Sequence, residues 1–248
     1  MTFNAFEQFQ IIKLIPFSPF GLDLSLTNSS LFMLLALGFF YFLYYTNIKN
    51  GFITPTRWQS VIEIIYDVMY GVAKENIGAK AGKYFPFLFS LFVFIVILNV
   101  FGIVPYTFSP TAHIAVTFGL SLSIFIGVTL LGMVNYGANY FAMFMPAGSP
   151  LILAPFMIVI ELVSHMAKAV SLGVRLAANI TAGHILFAIL SGFVWTMITA
   201  GGILAIASIF PLLIVFFITI IEMAVAFIQA YVFSLLTAIY ISESEDLH

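Results

Sequence analysis

The sequence predicts an all-α membrane protein: about five membrane helices plus one amphipathic surface helix, the last two helices long and steeply inclined. Three observations carry this. Of 248 residues, 62% are hydrophobic and only 7% are charged, against about 25% charged in ordinary soluble proteins. The apolar residues gather in runs that can cross a ~30 Å hydrocarbon core, which takes about 20 residues at ~1.5 Å each. The final two runs are far longer than one crossing needs. No polar stretch is long enough for a separate soluble domain, so residues 1–248 are expected to form a single integral membrane domain. The net charge of -2 specifies no partner, and the lack of cysteine excludes disulfides, thiolate metal sites and cysteine nucleophiles.

The opening residues MTFNAFEQFQIIKL contain no arginine and carry Glu7. They read as neither a transit peptide nor a secretory signal. The first span is expected over 26–45, opened by Thr27-Asn28-Ser29-Ser30 and closed by Asn47, Lys49, Asn50 and Gly51. Residues 55–76 differ. Apolar side chains recur at Trp58, Val61, Ile62, Ile65, Val68, Met69 and Val72, with Gln59, Glu63, Asp67 and Lys74 between them. That is helical period with one wet face. Pro55 suits a first turn, and Trp58 an interfacial anchor for a helix lying on the membrane. A helix packed on a neighbouring soluble subunit fits the same pattern.

The second span is expected over 84–104, ended by Pro105, with Asn99 inside it as an interhelical hydrogen-bonding group. The third, over 112–134, is opened by His113, and its Gly119, Ser121, Ser123, Gly127 and Gly132 suit close helix packing. An uncharged loop containing PAGSP follows, and then two long apolar stretches, 150–190 and 193–241. Gly192 and Gly201-Gly202 are the candidate turn positions. Five of the eight lysines and arginines (Lys49, Arg57, Lys74, Lys80, Lys83) lie between the first and second spans. The positive-inside rule puts that segment in the matrix or cytoplasm, the N-terminus outside and the acidic C-terminus inside.

Straight helices over the two long stretches would measure ~61 and ~73 Å. Either each divides into two spans, or each lies far beyond the usual ~20° tilt. The polar residues favour the second reading for 150–190. At about 100° per residue, Glu161, His165, Lys168, Arg175 and Asn179 fall in one stripe ~80° wide, which a turn between 161 and 179 would scatter. No proline follows Pro155 before Pro211. In the last stretch Glu222 and Gln229, seven residues apart, share a face, and Tyr240 and Glu243 lie near its end.

Arg175 is the most telling residue in that stripe. A guanidinium keeps its proton, and one near a bilayer centre costs about 2.5 to 3.5 kcal/mol on insertion scales, so it needs a counter-ion or water and marks a functional site. Glu and His bind and release protons at accessible pH. A titratable row interrupted by a permanent cation suits a proton path broken in two, with the carrier on a partner.

Here the residues resemble a known family. Ser171-Leu172-Gly173-Val174-Arg175-Leu176-Ala177-Ala178-Asn179 with Ala182-Gly183-His184, and Glu222-Met223-Ala224-Val225-Ala226-Phe227-Ile228-Gln229-Ala230-Tyr231-Val232-Phe233, are similar to the two signatures of the subunit a family of F-type ATP synthases. The loop Pro146-Ala147-Gly148-Ser149-Pro150 fits it too. His184 with Glu222 resembles the mitochondrial, particularly the fungal, branch.

The resemblance implies a stationary subunit of the rotary synthase, facing a ring of c subunits that each carry a membrane carboxylate. Arg175 would meet that carboxylate and separate two proton half-channels. His184 and Glu222 would line the intermembrane-space half-channel, with Asn179 and Gln229 near the arginine. Glu161 would line the matrix half-channel, with Glu243 near the inner end of the last helix. It further implies the mitochondrial inner membrane, with the N-terminus in the intermembrane space and the C-terminus in the matrix. The partners would be the c-ring, the peripheral stalk, other Fo membrane subunits and lipid, within a dimeric synthase.

No phosphate-binding loop is present, so this chain is expected to bind no nucleotide by that route and to hold no active site for ATP; no nucleic acid is expected among its partners. No cofactor is expected. Glu161 and His165 alone lack the third ligand a zinc site needs. The competing functions are a self-contained proton channel or secondary transporter, and a structural membrane anchor.

Overall fold

The structure, a computed structural model, describes residues 10–16, 25–48, 57–104, 107–137, 140 and 154–245. Pro55, Pro105, the side chain of Trp58, the PAGSP loop and the first residues of the 150–190 stretch lie outside the described residues.

The described chain is overwhelmingly helical. A short antiparallel pair, β1 (Lys13–Ile15) with β2 (Leu26–Thr27), precedes α1 (Asn28–Ile48). This pair is not marked by any alternation in the sequence. Asn28 holds it to the helix: its amide nitrogen donates to the Gln10 carbonyl at 3.0 Å and its oxygen accepts from the Ile12 N–H at 3.3 Å. Thr27 and Ser30 cap the helix start, with the Ser30 N–H donating to Thr27 Oγ1 and the Thr27 N–H to Ser30 Oγ.

α2 (Arg57–Ile77) is followed by a 3-10 turn (Gly78–Lys80) and α3 (Ala81–Ile103). Gly78 makes that joint at φ +69°, a conformation costly for any side chain. A second 3-10 turn (Pro110–Ala112) leads to α4 (Ile114–Tyr136). α5 (Ala154–Ala200) runs 47 residues without a break. α6 (Gly202–Ala207) and α7 (Ile209–Glu245) complete the chain.

The stretches long and apolar enough to cross a membrane, among the described residues, are Asn28–Thr46, Gln59–Ile103, Ile114–Tyr136, Pro155–Ala200 and Gly202–Glu245. The second of these joins α2, which carries Arg57, Glu63, Asp67, Lys74 and Glu75, to α3, which has no charge after Lys83.

The boundary between the two long stretches differs from the expected 190–193. α5 continues through Gly192, because a lone glycine in a helix costs only about 1 kcal/mol and the sequence resumes with Phe193-Val194-Trp195. The break falls at Gly201 and Gly202, both at positive φ (70° and 60°). Pro211 then sits in the first turn of α7, where its missing N–H would have had no partner in the helix anyway.

Two compact units divide the chain, one of residues 1–50, 93–114 and 176–230, the other of 51–92, 115–175 and 231–248. In the first, α1 packs on the later part of α3: Ala36, Ile97 and Leu98 are buried among Met33, Phe40, Val93, Phe94 and Phe101. Alanine at 36 removes the bulk that would hold the two backbones apart. In the second, α2 lies on the start of α3 through an aromatic cluster. Tyr66 meets Phe85 edge-on at 4.6 Å, and Tyr70 meets it at 5.4 Å. Met69, Val72 and Ala73 are buried beside them.

Candidate functional site

The sequence-predicted residues fall into two groups. In the second unit, α5 presents Glu161, His165, Lys168 and Arg175. Gly173 sets the orientation of this part of α5. A Cβ there would lie 2.5 Å from Ser121 Oγ and 3.0 Å from both the Phe118 Cα and the Thr117 carbonyl oxygen, so α5 is pressed directly on α4. Arg175 is two positions on, about 200° around the helix. It therefore points away from α4 and is exposed. Beside it runs an open apolar strip of Val163, Met166, Ala167, Val170, Ser171 and Val174.

His165 turns the other way, 7% exposed, its ring 5.1 Å from that of Phe125 on α4. Lys168 reaches α7, donating to Glu243 Oε1 at 3.0 Å and Oε2 at 3.3 Å, with its nitrogen 5.9 Å from the centre of the Tyr240 ring. Glu161 is half-buried. The expected stripe thus lies on one unbroken helix, but its members divide between an exposed face and a packed one.

In the first unit, the later half of α5 meets α3, the loop before α4, and α7. Thr181 Oγ1 donates to the Ala112 carbonyl at 2.9 Å. Gly183 lies against Glu222: a Cβ there would be 2.6 Å from Glu222 Oε1. His184 sits opposite Gly102 of α3, its Nε2 3.5 Å from where a Cβ on that glycine would be. The two glycines leave room for the two titratable side chains. Asn179 is half-buried and Gln229 buried.

Asn99 donates from Nδ2 to the Ala226 carbonyl at 3.2 Å, the interhelical bond its intramembrane position leads one to expect. Among the described residues, Glu222 Oε1, Gln229 Nε2 and Asn99 Oδ1 are buried with no hydrogen-bond partner. Such atoms call for water or another polar group. Near the loop, His113 stacks on Phe108 at 5.2 Å, and burial holds its imidazole below the ordinary histidine range. Among the described residues no three His, Asp or Glu side chains converge in a way that would hold a metal ion.

Sequence reasoning assigns no role to Lys168 and passes over Glu245. Lys168 shows no local sign of its partner, which lies 75 residues on. Glu245 stands in Ser-Glu-Ser-Glu-Asp, which reads as a solvated tail, yet it is 5% exposed.

The chain matches the family model described as ATP synthase A chain over residues 28–242. It belongs to that family. It is similar to ATP synthase subunit a of Metridium senile, 50% identical over 243 residues and covering 98% of each chain. It is also similar to that of Chondrus crispus, 45% identical over 247 residues, 99% of this chain and 97% of the relative. With the subunit a of Rhodospirillum rubrum it shares 41% identity over 242 residues, 98% of each. Membership in the ATP synthase A chain family, together with the long apolar helices, makes this a multi-pass membrane protein. It is a stator subunit of the synthase's membrane sector and acts in proton translocation.

Proposed function

We propose that this chain supplies two offset proton half-channels, with Arg175 between them facing a carboxylate on each subunit of a rotating c-ring. The observation that carries the reading is the exposure of Arg175 beside an apolar strip of α5, on the side away from the glycine face that packs on α4. A permanent cation on such a strip is untenable against lipid. It becomes favourable against a passing acid. An opposite charge within ~4–6 Å lowers a carboxyl pKa by about 1 to 3 units, so the ring acid gives up its proton there. The same cation repels protons from a direct crossing.

On this reading Glu222 and His184, with Asn179 and Gln229, line the half-channel on the intermembrane-space side. The partnerless buried oxygen of Glu222 and amide nitrogen of Gln229 are what a narrow wetted path provides. Glu161 and Glu243 line the matrix half-channel, where the side chains of Lys168 and Glu243 remain 37% and 36% exposed. α5 measures ~70 Å along its axis, over twice a ~30 Å core, so it lies steeply inclined and follows the ring. The peripheral stalk and other membrane subunits hold it still. The location is the mitochondrial inner membrane, in a dimeric synthase, with the N-terminus in the intermembrane space and the C-terminus in the matrix.

The test is Arg175→Ala in the assembled complex. Loss of coupled ATP synthesis is expected while the complex still forms, since the close approach to α4 is made at Gly173 and Arg175 itself is exposed. Full synthesis by an assembled mutant refutes the role.

A further inference from the structure

The last turn of α7 is fastened by Glu245. Its carboxylate accepts from Lys80 Nζ at 2.5 Å, from Asn135 Nδ2 at 3.0 Å and from the Tyr84 hydroxyl. Its main-chain carbonyl accepts from the Tyr136 hydroxyl and, at 3.4 Å, from Lys80 Nζ. One residue thereby joins the 3-10 turn after α2, the start of α3 and the end of α4. A carboxylate so buried is costly without partners. With three donors, one of them cationic, it forms bonds of the stronger, charge-assisted kind.

Glu243 is two residues earlier on the same turn. Its pairing with Lys168 joins two side chains that are each more than a third exposed. Such a pair contributes little and does not hold two long side chains in register by itself. The final turn of a helix also lacks onward hydrogen bonds for its carbonyls and frays unless they are met. The place of Glu243 beside Lys168 is therefore set by whatever fixes the backbone of this turn, and that is the Glu245 clamp.

We propose that Glu245 is a positioning residue for the proton step at Glu243, acting by holding the end of α7 so that Glu243 stays beside Lys168. This rests on the reading of Glu243 as a proton-path group. Among the described residues, Lys168 and His165 of α5, Tyr240 of α7 and Tyr140 after α4 bear on Glu243, while Glu161 bears in turn on His165 and Arg175 on Tyr240. Those bearing on Glu245 are Lys80, Lys83, Tyr84 and Tyr136.

The experiment measures proton conduction by the assembled complex in membranes, as a function of pH on the side of the C-terminus. It compares wild type, Glu245→Gln, Glu245→Ala, Glu243→Gln and the exchange of Lys80→Glu with Glu245→Lys. Releasing the clamp frees the last turn of α7, so Glu243 spends less of its time beside Lys168. In complexes assembled to wild-type yield, proton conduction is expected to fall about two- to threefold in Glu245→Gln and Glu245→Ala, and the exchange to bring it back towards wild type. Wild-type rates in both assembled Glu245 variants, or reduced rates that the exchange does not restore, overturn the proposal. Failure of both to assemble also overturns it, in favour of a purely structural clamp. An unchanged profile in Glu243→Gln removes Glu243 from the path instead, and the proposal with it.

Discussion

Replacing Gly173 with alanine tests the geometry that aims Arg175. Two effects oppose each other. Alanine is favoured over glycine in a helix by about 0.8 to 1 kcal/mol. Against this, the new methyl would sit 2.5 Å from Ser121 Oγ and 3.0 Å from main-chain atoms of Phe118 and Thr117. The serine hydroxyl can rotate aside. The backbone of α4 cannot, so the two helices must separate by about half an ångström. Overpacking of this kind costs about 1 to 3 kcal/mol, so the net change is a destabilisation of up to about 2 kcal/mol.

Gly192→Ala is the internal control on the same helix. Nothing lies within 4 Å of its added methyl, so only the propensity gain remains and stability should rise. The assay is thermal stability of the assembled membrane sector in detergent, paired with ATP-driven proton pumping. Gly173→Ala should melt earlier and pump more slowly, because Arg175 is displaced with the backbone and errors of ~1 Å in a reacting geometry can cost about 100-fold. Gly192→Ala should melt no earlier than wild type. Equal stability of the two variants would refute the close approach of α5 to α4, and with it the argument for where Arg175 points.

Glu222→Gln conserves volume, so assembly should be retained with less than about 1.5 kcal/mol of change in stability, while proton conduction through the complex falls because an amide cannot carry the proton. Unaltered conduction would reduce Glu222 to a packing group. Asn99→Ala removes the donor to the Ala226 carbonyl, and interhelical hydrogen bonds in membranes average about 0.6 kcal/mol with a maximum near 1.7. A destabilisation in that range is expected on thermal melting, and none at all would show that the bond adds nothing.

Much of the fold is legible in the residue order. The wet face of α2 can be read from the spacing of Glu63, Asp67 and Lys74, and the start of α1 from Thr27 and Ser30. The unbroken course of α5 follows from a polar stripe that no turn could preserve. What escapes such reading are features set by distant partners. The β1–β2 pair has too few residues to show a period. The break at Gly201-Gly202 can be told from Gly192 only by which glycines take positive φ. Lys168 with Glu243, and Lys80 with Glu245, join positions 75 and 165 residues apart.

By itself the sequence determined that the chain lives in a membrane and that a permanent cation, Arg175, stands inside one of its long apolar runs. These are properties of composition and periodicity, which need no neighbour to exist. The tertiary structure alone decided which side of α5 is pressed on α4, which carboxylates receive lysines, and which polar atoms are buried without partners. Those outcomes depend on approaches of a few ångströms between helices far apart in the chain, and no local pattern encodes them.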